Sequence, residues 1–399
     1  MNRIEKLIQE HCPDGVPFQR LSDLGILISG LAGRTKVDFG HGDDQFVTYK
    51  QVFGSLSVDF TKLERVDLSD GKKQNRLALG DVLFTASSEN LDEVGMSSVV
   101  TRQPESDLYL NSFCFAFRLK DRQILDPEFS KYLFRAPLVR RQIIRSAQGV
   151  TRINISKKRF LELAVPVPPL EVQREIVKVL DLFTELEAEL EAELEARRKQ
   201  YEYYRDQLLT FPEDGAATWV ELGDLFEMRA GKFLSASEIG EKQTRERNIP
   251  CYGANGVRGY TSEANNFDSR VLIGRQGALS GNVHLAAAPF YATDHAVVCD
   301  PRIYLDLNFF YHLLSHAHLG QYVTKSAQPG LSVRRLKTVR VPVPPMETQR
   351  RIANVLDKFD ALVNDLSSGL PAEIEARRKQ YEYYRDKLLT FKELESDAA

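Results

Sequence analysis

The chain has 399 residues, 43% hydrophobic and 27% charged, so it can bury a sizeable core and is neither disordered nor collagen-like. Its length predicts two or three domains. With 53 basic and 56 acidic residues the formal charge is -3, which by itself argues against a strongly basic nucleic-acid-binding surface.

Membrane and secretory segments are not expected. The sequence has no run of about 18 apolar residues, and residues 1–15 contain acids and no apolar stretch. The four cysteines, Cys12, Cys114, Cys251 and Cys299, lie far apart and form no CxxC pair. We therefore expect a cytoplasmic protein whose cysteines are reduced and mostly buried.

Residues 1–164 are predicted to form a first globular domain. A Leu-x-Asp-Leu step at 21–24 precedes short strand-like runs, of which LALGDVLFT at 77–85 and SFCFAFRLK at 112–120 are the clearest. A helical stretch follows near 127–146. The fold class expected from this pattern is α/β, with mixed helices and antiparallel strands.

A basic cluster closes this first segment. Nine Lys or Arg residues and no acid lie between Lys131 and Arg159. A single cluster of this kind is typical of a solvated helix face, but it also fits contact with phosphate groups. The candidate contact residues here are Thr151, Arg152, Lys157 and Lys158.

Residues 165–211 predict a long helix that begins after VPVPP, with Glu171 favourably placed in its first turn. Its apolar residues recur in alternating steps of three and four, apart from one four-residue stutter within the ELEA repeats at 185–196. A helix over 170–210 would be roughly 60 Å long. We interpret it as a coiled-coil spacer.

Residues 212–340 are predicted to form a second globular domain, with strands and Gly-rich turns over 271–298 and a helix near 306–323. Arg275 and Gln276 form a polar pair, suited to bidentate contact with a base, in a loop flanked by glycines. A second acid-free basic cluster, 325–340, contains Arg334 and Arg335. Two clusters at the same place in a repeated plan favour phosphate contact over a solvated face.

Residues 341–399 repeat the helical segment. EARRKQYEYYRDKLLTF at 375–391 matches EARRKQYEYYRDQLLTF at 195–211 in 16 of 17 positions, and VPVPP recurs at 341–345. A Ser-Ala-Gln marker occurs at 146–148 and again at 326–328. Residues 367–371, Ser-Ser-Gly-Leu-Pro, interrupt the second copy, so we predict two helices in series there.

Comparing the two copies of the repeat shows which segments are nearly identical and which have diverged. The two helical segments are nearly identical and are expected to do the same job, whereas the two globular segments differ and are expected to recognise different targets. Neither helical seam is satisfied alone, so the two helices could pack on each other, and antiparallel pairing would place the globular domains at opposite ends; the alternative is an ordinary helix bundle, which the helix length and the repeat disfavour. The tyrosines and arginines of the repeat fit either this packing or a protein-binding surface; the candidate partner-binding residues are Arg197, Tyr201, Tyr204, Arg377, Tyr381 and Tyr384.

Catalytic and cofactor motifs are missing from the sequence. It has no GxxxxGK[ST], no GxGxxG and no Asn-Pro-Pro-aromatic motif of an amino-methyltransferase. The HxxxH spacing of His312 and His316 lacks a neighbouring Glu, so ordinary helix residues are favoured over a zinc site. Asp294-His295 with a nearby Ser lacks a GxSxG elbow, which argues against a hydrolase triad.

The paired PVPPLEVQREI and PVPPMETQRRI, the twin EARRKQYEYYRD and the stretch GRQGALSGNVHLAAAPFYATDHAVV together resemble the specificity subunit of a type I restriction-modification enzyme. The resemblance covers essentially the whole chain. The family's usual Glu-Gln pair stands here as Glu-x-Gln, at 171–173 and at 347–349.

The resemblance implies a non-catalytic reader of double-stranded DNA, in which each globular domain recognises one half of a bipartite site. The helices would set the spacing and hold two methyltransferase subunits. No cofactor is expected on this chain; S-adenosylmethionine and ATP would belong to the methyltransferase and motor-endonuclease subunits. The alternative is a coiled-coil scaffold whose globular domains bind protein or glycan, and salt-dependent binding of duplex DNA separates the two.

Overall fold

The protein is described by a computed structural model that covers residues 3–215, 217–277, 279–324 and 330–394. It divides into two compact units. Unit 1 contains residues 1–189 and 375–399, and unit 2 contains residues 190–374. Each unit therefore combines one globular segment with helix residues from both copies of the repeat. The four-segment division at 164, 211 and 340 stays a prediction.

The chain up to the end of the long helix contains seven helices and twelve strands in the part that the structure describes. They are α1 (Arg3–His11), β1 (Phe18–Arg20), α2 (Leu21–Leu24), β2 (Gly25–Ser29), β3 (Phe39–Val47), α3 (Tyr49–Gly54), β4 (Glu64–Val66), β5 (Val82–Thr85), β6 (Ser87–Ser88), β7 (Ser97–Val99), β8 (Leu108–Leu110), β9 (Cys114–Leu119), α4 (Pro127–Leu133), α5 (Pro137–Ser146), β10 (Ala147–Gln148), β11 (Ile153–Ile155), α6 (Lys157–Leu161), β12 (Ala164–Pro166) and α7 (Leu170–Leu209).

The rest of the chain follows a related order with fewer elements among the described residues. Its elements are β13 (Thr218–Glu221), α8 (Leu222–Leu225), β14 (Phe226–Ala230), β15 (Ile249–Gly253), β16 (Gly256–Thr261), β17 (Arg270–Gly274), β18 (Val283–Ala286), β19 (Tyr291–Ala292), β20 (Ala296–Pro301), α9 (Leu307–His316), α10 (Val333–Lys337), β21 (Arg340–Val343), α11 (Met346–Asn364) and α12 (Leu370–Leu388).

Both globular parts share a four-stranded and a three-stranded sheet although their sequences differ, and the described part of unit 1 has in addition the sheet β10-β11-β6. In unit 1 the four-stranded antiparallel sheet has the order β2-β9-β5-β7, and in unit 2 the order is β14-β20-β17-β18. A three-stranded sheet accompanies each, β4-β3-β8 and β16-β15-β19, with one antiparallel and one parallel pairing. The predicted mixed α/β class is confirmed.

The core of unit 1 lies between the four-stranded sheet and helices α4 to α6. Phe84, Phe115 and Phe160 are fully buried there, with the ring centres of Phe84 and Phe160 4.9 Å apart in an edge-to-face arrangement. Apolar residues of α7, and the chain just after α12, belong to the same core. The globular part and the helix residues of unit 1 therefore share one hydrophobic core instead of forming separate modules joined by linkers.

Unit 2 repeats this arrangement. Its core contains Phe226, Phe309 and Phe310 from the globular part. Ile352 and Leu356 of α11 and Leu209 of α7 join them. Burying such side chains stabilises each unit by about 1.5–3 kcal/mol per side chain.

The predicted helices are confirmed. α7 ends one residue before the predicted boundary, and the second copy is interrupted as expected between α11 and α12. Pro371 lies in the first turn of α12, where its missing N–H breaks no helical hydrogen bond.

Within each unit, helix residues of one repeat copy contact helix residues of the other. In unit 1 the ring of Phe183 lies 5.4 Å from that of Tyr384 and 6.3 Å from that of Tyr381, while Glu187 pairs with Arg378, so α7 and α12 run antiparallel. In unit 2 Phe359, the repeat equivalent of Phe183, lies 6.3 Å from Tyr201 and 5.7 Å from Tyr204. The contacts of unit 1 show α7 and α12 packed antiparallel, and the placement of the two globular parts at opposite ends stays a prediction.

All four cysteines are buried and free, as predicted. Burial raises the pKa of the Cys114 and Cys299 thiols to about 12. Among the described residues, no helix combines the length and apolarity that crossing a membrane requires.

Candidate nucleic-acid interface

The predicted contact residues of unit 1 lie on a hairpin and the short helix after it. β10 and β11 form an antiparallel pair, and β11 also pairs with β6, matching Ile153 with Ser88 and Asn154 with Ser87. Thr151 and Arg152 occupy the exposed apex of this hairpin. Lys157 and Lys158 are exposed at the start of α6, which follows directly. The structure thus brings all four residues onto one edge of the unit.

Arg152 is held in place by neighbouring side chains. Its Nε and Nη2 donate to Ser87 Oγ at 3.3 and 3.1 Å, and its guanidinium lies 5.5 Å from the centre of the Phe113 ring. Phe113 is 54% exposed. A cation over an aromatic face is stabilised by the ring's quadrupole, so this guanidinium is oriented before any ligand arrives.

The predicted contact residues of unit 2 occupy the equivalent place. Arg275 and Gln276 follow β17; Leu331 N donates to Arg275 O at 2.8 Å, and Gln276 forms an isolated bridge with Gly330. Arg334 and Arg335 are exposed on α10, three and four residues beyond Leu331. Two predicted pairs that lie almost sixty residues apart in sequence are therefore neighbours.

Arg275 is the most enclosed of these side chains. It is half-buried, its Nη1 reaches Asp294 O at 3.5 Å, and its Nε is buried without a hydrogen-bond partner in the described part of the chain. An unpaired buried donor costs free energy unless a ligand or water satisfies it. Gln276, by contrast, is exposed beside Gly277.

The first basic cluster is only partly available to a ligand. Arg135 donates to the carbonyl oxygens of Val52, Phe53, Ser55 and Ser97, and burial lowers its pKa to about 10. Arg140 likewise binds backbone carbonyls, and Lys131 pairs with Glu128 and Asp181. These three side chains are therefore already engaged by groups of the chain itself, and phosphate contact by the cluster stays a prediction. The other six, Arg141, Arg145, Arg152, Lys157, Lys158 and Arg159, are exposed.

The second cluster is described only in part. Arg334, Arg335 and Arg340 are exposed, whereas Lys325 and the Ser-Ala-Gln marker at 326–328 lie outside the described residues. Arg335 Nη1 reaches Tyr322 O at 3.2 Å.

The candidate partner-binding residues lie on α7 and α12. Arg197 bonds Glu193 and Gln200, and Arg377 bonds Gln380, all within their own helices. Tyr201, Tyr204, Tyr381 and Tyr384 make the ring contacts with Phe359 and Phe183 described above. Seam packing therefore accounts for one face of the tyrosine repeat, and a partner-binding role for these residues stays a prediction.

The outward face of the repeat belongs to residues that sequence reasoning did not single out. Tyr203 and Tyr383 are 62% and 64% exposed, each edge-to-face with its neighbouring tyrosine. The sequence indicates them in one way: the coiled-coil seam uses the first and last tyrosine of each Tyr-Glu-Tyr-Tyr and leaves the middle one off the seam.

Two segments of the chain match one known domain family. Residues 14–196 and 217–376 match the type I restriction modification DNA specificity domain. The chain belongs to this family. Both matches begin near the first strand of a globular part and end in the helices that follow it, so the family domain corresponds to one globular part with its helix.

Curated specificity subunits resemble parts of the chain. It is 46% identical over 207 residues to the EcoprrI type I restriction enzyme specificity subunit of Escherichia coli, covering 51% of this chain and 52% of that protein. A putative specificity subunit of Haemophilus influenzae is 34% identical over 267 residues, covering 61% and 68%. The chain thus spans about half the length of the E. coli relative it matches.

Solved structures of the specificity-subunit type share the fold over most of the chain. The S subunit of a type I restriction-modification system from M. genitalium superposes with a TM-score of 0.57 at 18% identity, covering 94% of this chain and 96% of that one. A chain from a study of complex assembly and conformational transition in the type I R-M system gives 0.63 at 19% identity, covering 94% and 98%. At this identity the likeness concerns the fold.

Sequence reasoning did not recognise that two buried glutamines, Gln173 and Gln349, hold parts of the fold together. Gln173 Oε1 accepts from Asp126 N at 2.8 Å, and its Nε2 donates to the carbonyls of Ile124 and Pro168. Gln349 repeats this with Asp306 N, at 3.1 Å, and Pro344 O, at 2.9 Å. These are the glutamines of the two Glu-x-Gln motifs, and each fastens a recognition-domain helix to the start of a repeated helix.

Proposed function

We propose that the chain is the DNA sequence-recognition subunit of a type I restriction-modification complex, and that each globular domain reads one half of a bipartite site. One observation carries this proposal: a duplicated fold presents exposed basic residues at the same place in both copies, while the residues around them differ. Phosphate contacts position a protein on DNA, and divergent side chains beside them can specify different bases. The family match does not favour the alternative of a scaffold that binds protein or glycan.

The remaining parts of the proposal concern partners. The chain binds no cofactor and catalyses no step itself; two methyltransferase subunits, docked on the repeated helices, supply S-adenosylmethionine and methylate adenine in each half-site. A motor-endonuclease subunit uses ATP and cleaves the DNA. The absence of nucleotide and methyltransferase motifs supports this division of labour, and a cytoplasmic location follows from the substrate.

The deciding experiment is to co-express the chain with the neighbouring methyltransferase gene and to map methylated adenines across the host genome. A single bipartite motif that appears with the pair and vanishes without this chain is the expected result. Methylation with no defined motif, or a motif that the methyltransferase produces alone, would contradict the proposal.

Arg334 and Arg335 provide a test at the interface. Replacing both with Ala should weaken binding of a duplex that carries the mapped motif, and should flatten the dependence of log affinity on log salt by about 0.9 for each phosphate that the variant no longer neutralises. The matched control is Arg351→Ala with Lys358→Ala, which removes the same charge from exposed positions on α11. An unchanged salt slope in the Arg334/Arg335 variant would remove these residues from the interface.

A further inference from the structure

The apex of the β10–β11 hairpin has an unusual residue at its tip. Val150 is 95% exposed, although it is a branched apolar residue. Its neighbours Gly149, Thr151 and Arg152 are exposed as well. Nothing in the described part of the chain covers the valine side chain, so its placement contributes little to folding.

The backbone of the apex nevertheless has a defined geometry. Gly149 has φ 112°, in the region that favours glycine, and a Cβ at this position would overlap the carbonyl oxygen of Arg152. That carbonyl also accepts from Asn154 Nδ2 at 3.0 Å. Arg152 contacts Ser87 and Phe113 as well, so several contacts favour this conformation of the apex, and a preformed loop loses less entropy on binding.

The surroundings of the apex indicate what it meets. Lys157, Lys158 and Arg159 are exposed directly after the hairpin, and no acid lies between 131 and 159. A two-stranded β-ribbon fits the major groove of DNA, which is about 12 Å wide, while basic side chains at its flank reach the phosphates. Within that groove the apolar group that a base offers is the thymine 5-methyl. A protein partner would not account for the concentration of positive charge.

We propose that the apex 149–152 enters the major groove of one half-site and that Val150 reads a thymine there through its 5-methyl group. Arg152, oriented beside it, contacts the neighbouring base pair. This inference rests on the proposed function and adds a specific base and a specific side chain to it. The equivalent segment of unit 2, 325–329, lies outside the described residues, so the inference concerns unit 1 alone.

The test replaces thymine by deoxyuridine, which lacks the methyl group, at one position at a time in a duplex carrying the mapped motif. Binding is measured with the complex that the chain forms with its co-expressed methyltransferase subunits. For the wild type, one replacement in one half-site should weaken binding about three- to fivefold, the effect of one buried methyl group. Val150→Ala should bind the thymine duplex that much more weakly and show no further loss with deoxyuridine.

Two matched variants accompany this measurement. Val37→Ala changes another exposed valine of unit 1, 76% exposed and remote in sequence, and should keep the wild-type discrimination. Lys158→Ala should flatten the salt slope without changing the thymine-to-deoxyuridine ratio. Because Val150 has no packing role, Val150→Ala should fold like the wild type, and equal melting temperatures verify this.

Several outcomes overturn the inference. The inference is wrong if wild-type binding is insensitive to every thymine replacement. It is also wrong if Val150→Ala keeps the wild-type ratio of affinities for the thymine and deoxyuridine duplexes. Loss of the methyltransferase subunits from Val150→Ala with an unchanged ratio would make the apex a protein contact. A complex that binds duplexes with no preference for the motif contradicts the proposed function itself, which separates that failure from failure of the apex alone.

Discussion

Buried amide side chains fasten the recognition domains to the helices. Gln173 is fully buried and Gln349 is 3% exposed, and each uses both its oxygen and its nitrogen on backbone groups. Such groups have no access to water, so every bond made by the amide prevents a buried backbone group from being unsatisfied. Asp126 and Asp306 are the N-cap residues of α4 and α9, and their backbone N–H groups donate to the two glutamines, which therefore lie at the start of these helices.

Replacing either glutamine should destabilise its own unit. Gln173→Ala leaves one backbone N–H and two carbonyls without this partner, and we expect a loss of about 2–4 kcal/mol in the free energy of unfolding. Gln349→Ala should cost somewhat less, because fewer bonds are involved. Urea unfolding of the purified chain measures both.

The control for this pair is Gln207→Ala, an exposed glutamine on α7, which should change stability by less than about 0.5 kcal/mol. If Gln173→Ala unfolded at the same urea concentration as this control, the amide contacts would have no structural importance.

At the scale of elements, a short break divides the second helical segment. Asp365 accepts from the backbone N–H of Ser367 and from the hydroxyls of Ser367 and Ser368, and these bonds lower its pKa to about 2. A Cβ on Gly369 would crowd the carbonyl oxygens of α11, among them that of Leu362. The break is therefore a defined turn, with a carboxylate as its organising group.

The ionised form of Asp365 is the stabilising one. A lowered pKa means that the bonds are fully present above the ordinary carboxyl pKa of about 3.9 and are lost as the pH falls towards 2. At pH 3.5 an ordinary aspartate is more than half protonated, whereas Asp365 should remain almost entirely ionised. The carboxyl carbon chemical shift in selectively labelled protein reports this, with Asp365→Asn assigning the signal. A titration midpoint near 4 would contradict the turn geometry.

The elements that sequence reasoning found are those whose signal is local. α7 and the break before α12 follow from period, proline and glycine placement, which a short window reveals. In these sheets β2 pairs with β9 about ninety residues away, and β14 pairs with β20 about seventy residues away, so no short window contains either pairing. Arg135 looked like a surface base because charge in the sequence does not tell which carbonyls the folded chain leaves buried.

The same limit applies to the candidate interface. Basic residues and Gly-flanked polar pairs could be selected from composition, but the contact between Leu331 and Arg275 that joins two of these pairs is a product of the fold. Conversely, the helical period alone placed Tyr381 on the seam and left Tyr383 off it, and the structure shows Tyr381 against Phe183 and Tyr383 exposed.

At the scale of the whole molecule, the duplicated plan predicts exchangeable domains. Grafting another recognition domain between Leu222 and Arg340 should change one half of the methylated motif and leave the other half unchanged. The packing adds a requirement: the core of unit 2 includes Ile352 and Leu356 of α11, and Asp357 bonds His312 and Asn308. A graft must supply side chains that fit these positions.

Methylome sequencing of a strain carrying the graft checks this prediction. The matched control is a graft of the chain's own segment with silent restriction sites, which should leave the motif intact. Changes in both half-sites would show that one domain does not read one half-site.

The ELEA run offers a test of how the spacing between half-sites is set. Four helical residues add about 6 Å and turn the helix by about 400°, so deleting a repeat keeps the seam nearly in phase. DNA rises about 3.4 Å per base pair, and about 6 Å corresponds to between one and two pairs. Deleting 189–192 removes no fully buried residue: Glu189, Glu191 and Ala192 are exposed and Leu190 is half-buried.

We expect this deletion to shorten the non-specific gap of the methylated motif by one or two base pairs while both half-sites stay the same. The competing explanation is that the run is a solvated, Glu-rich helix whose loss alters stability alone. Replacing 189–192 by four alanines separates length from composition, because that variant keeps the helix length and should keep the original gap. We prefer the explanation that the length of this helix sets the gap, because tetrapeptide units change the helix length while keeping the seam nearly in phase. Methylome data that show full activity with an unchanged gap in the deletion strain would refute it.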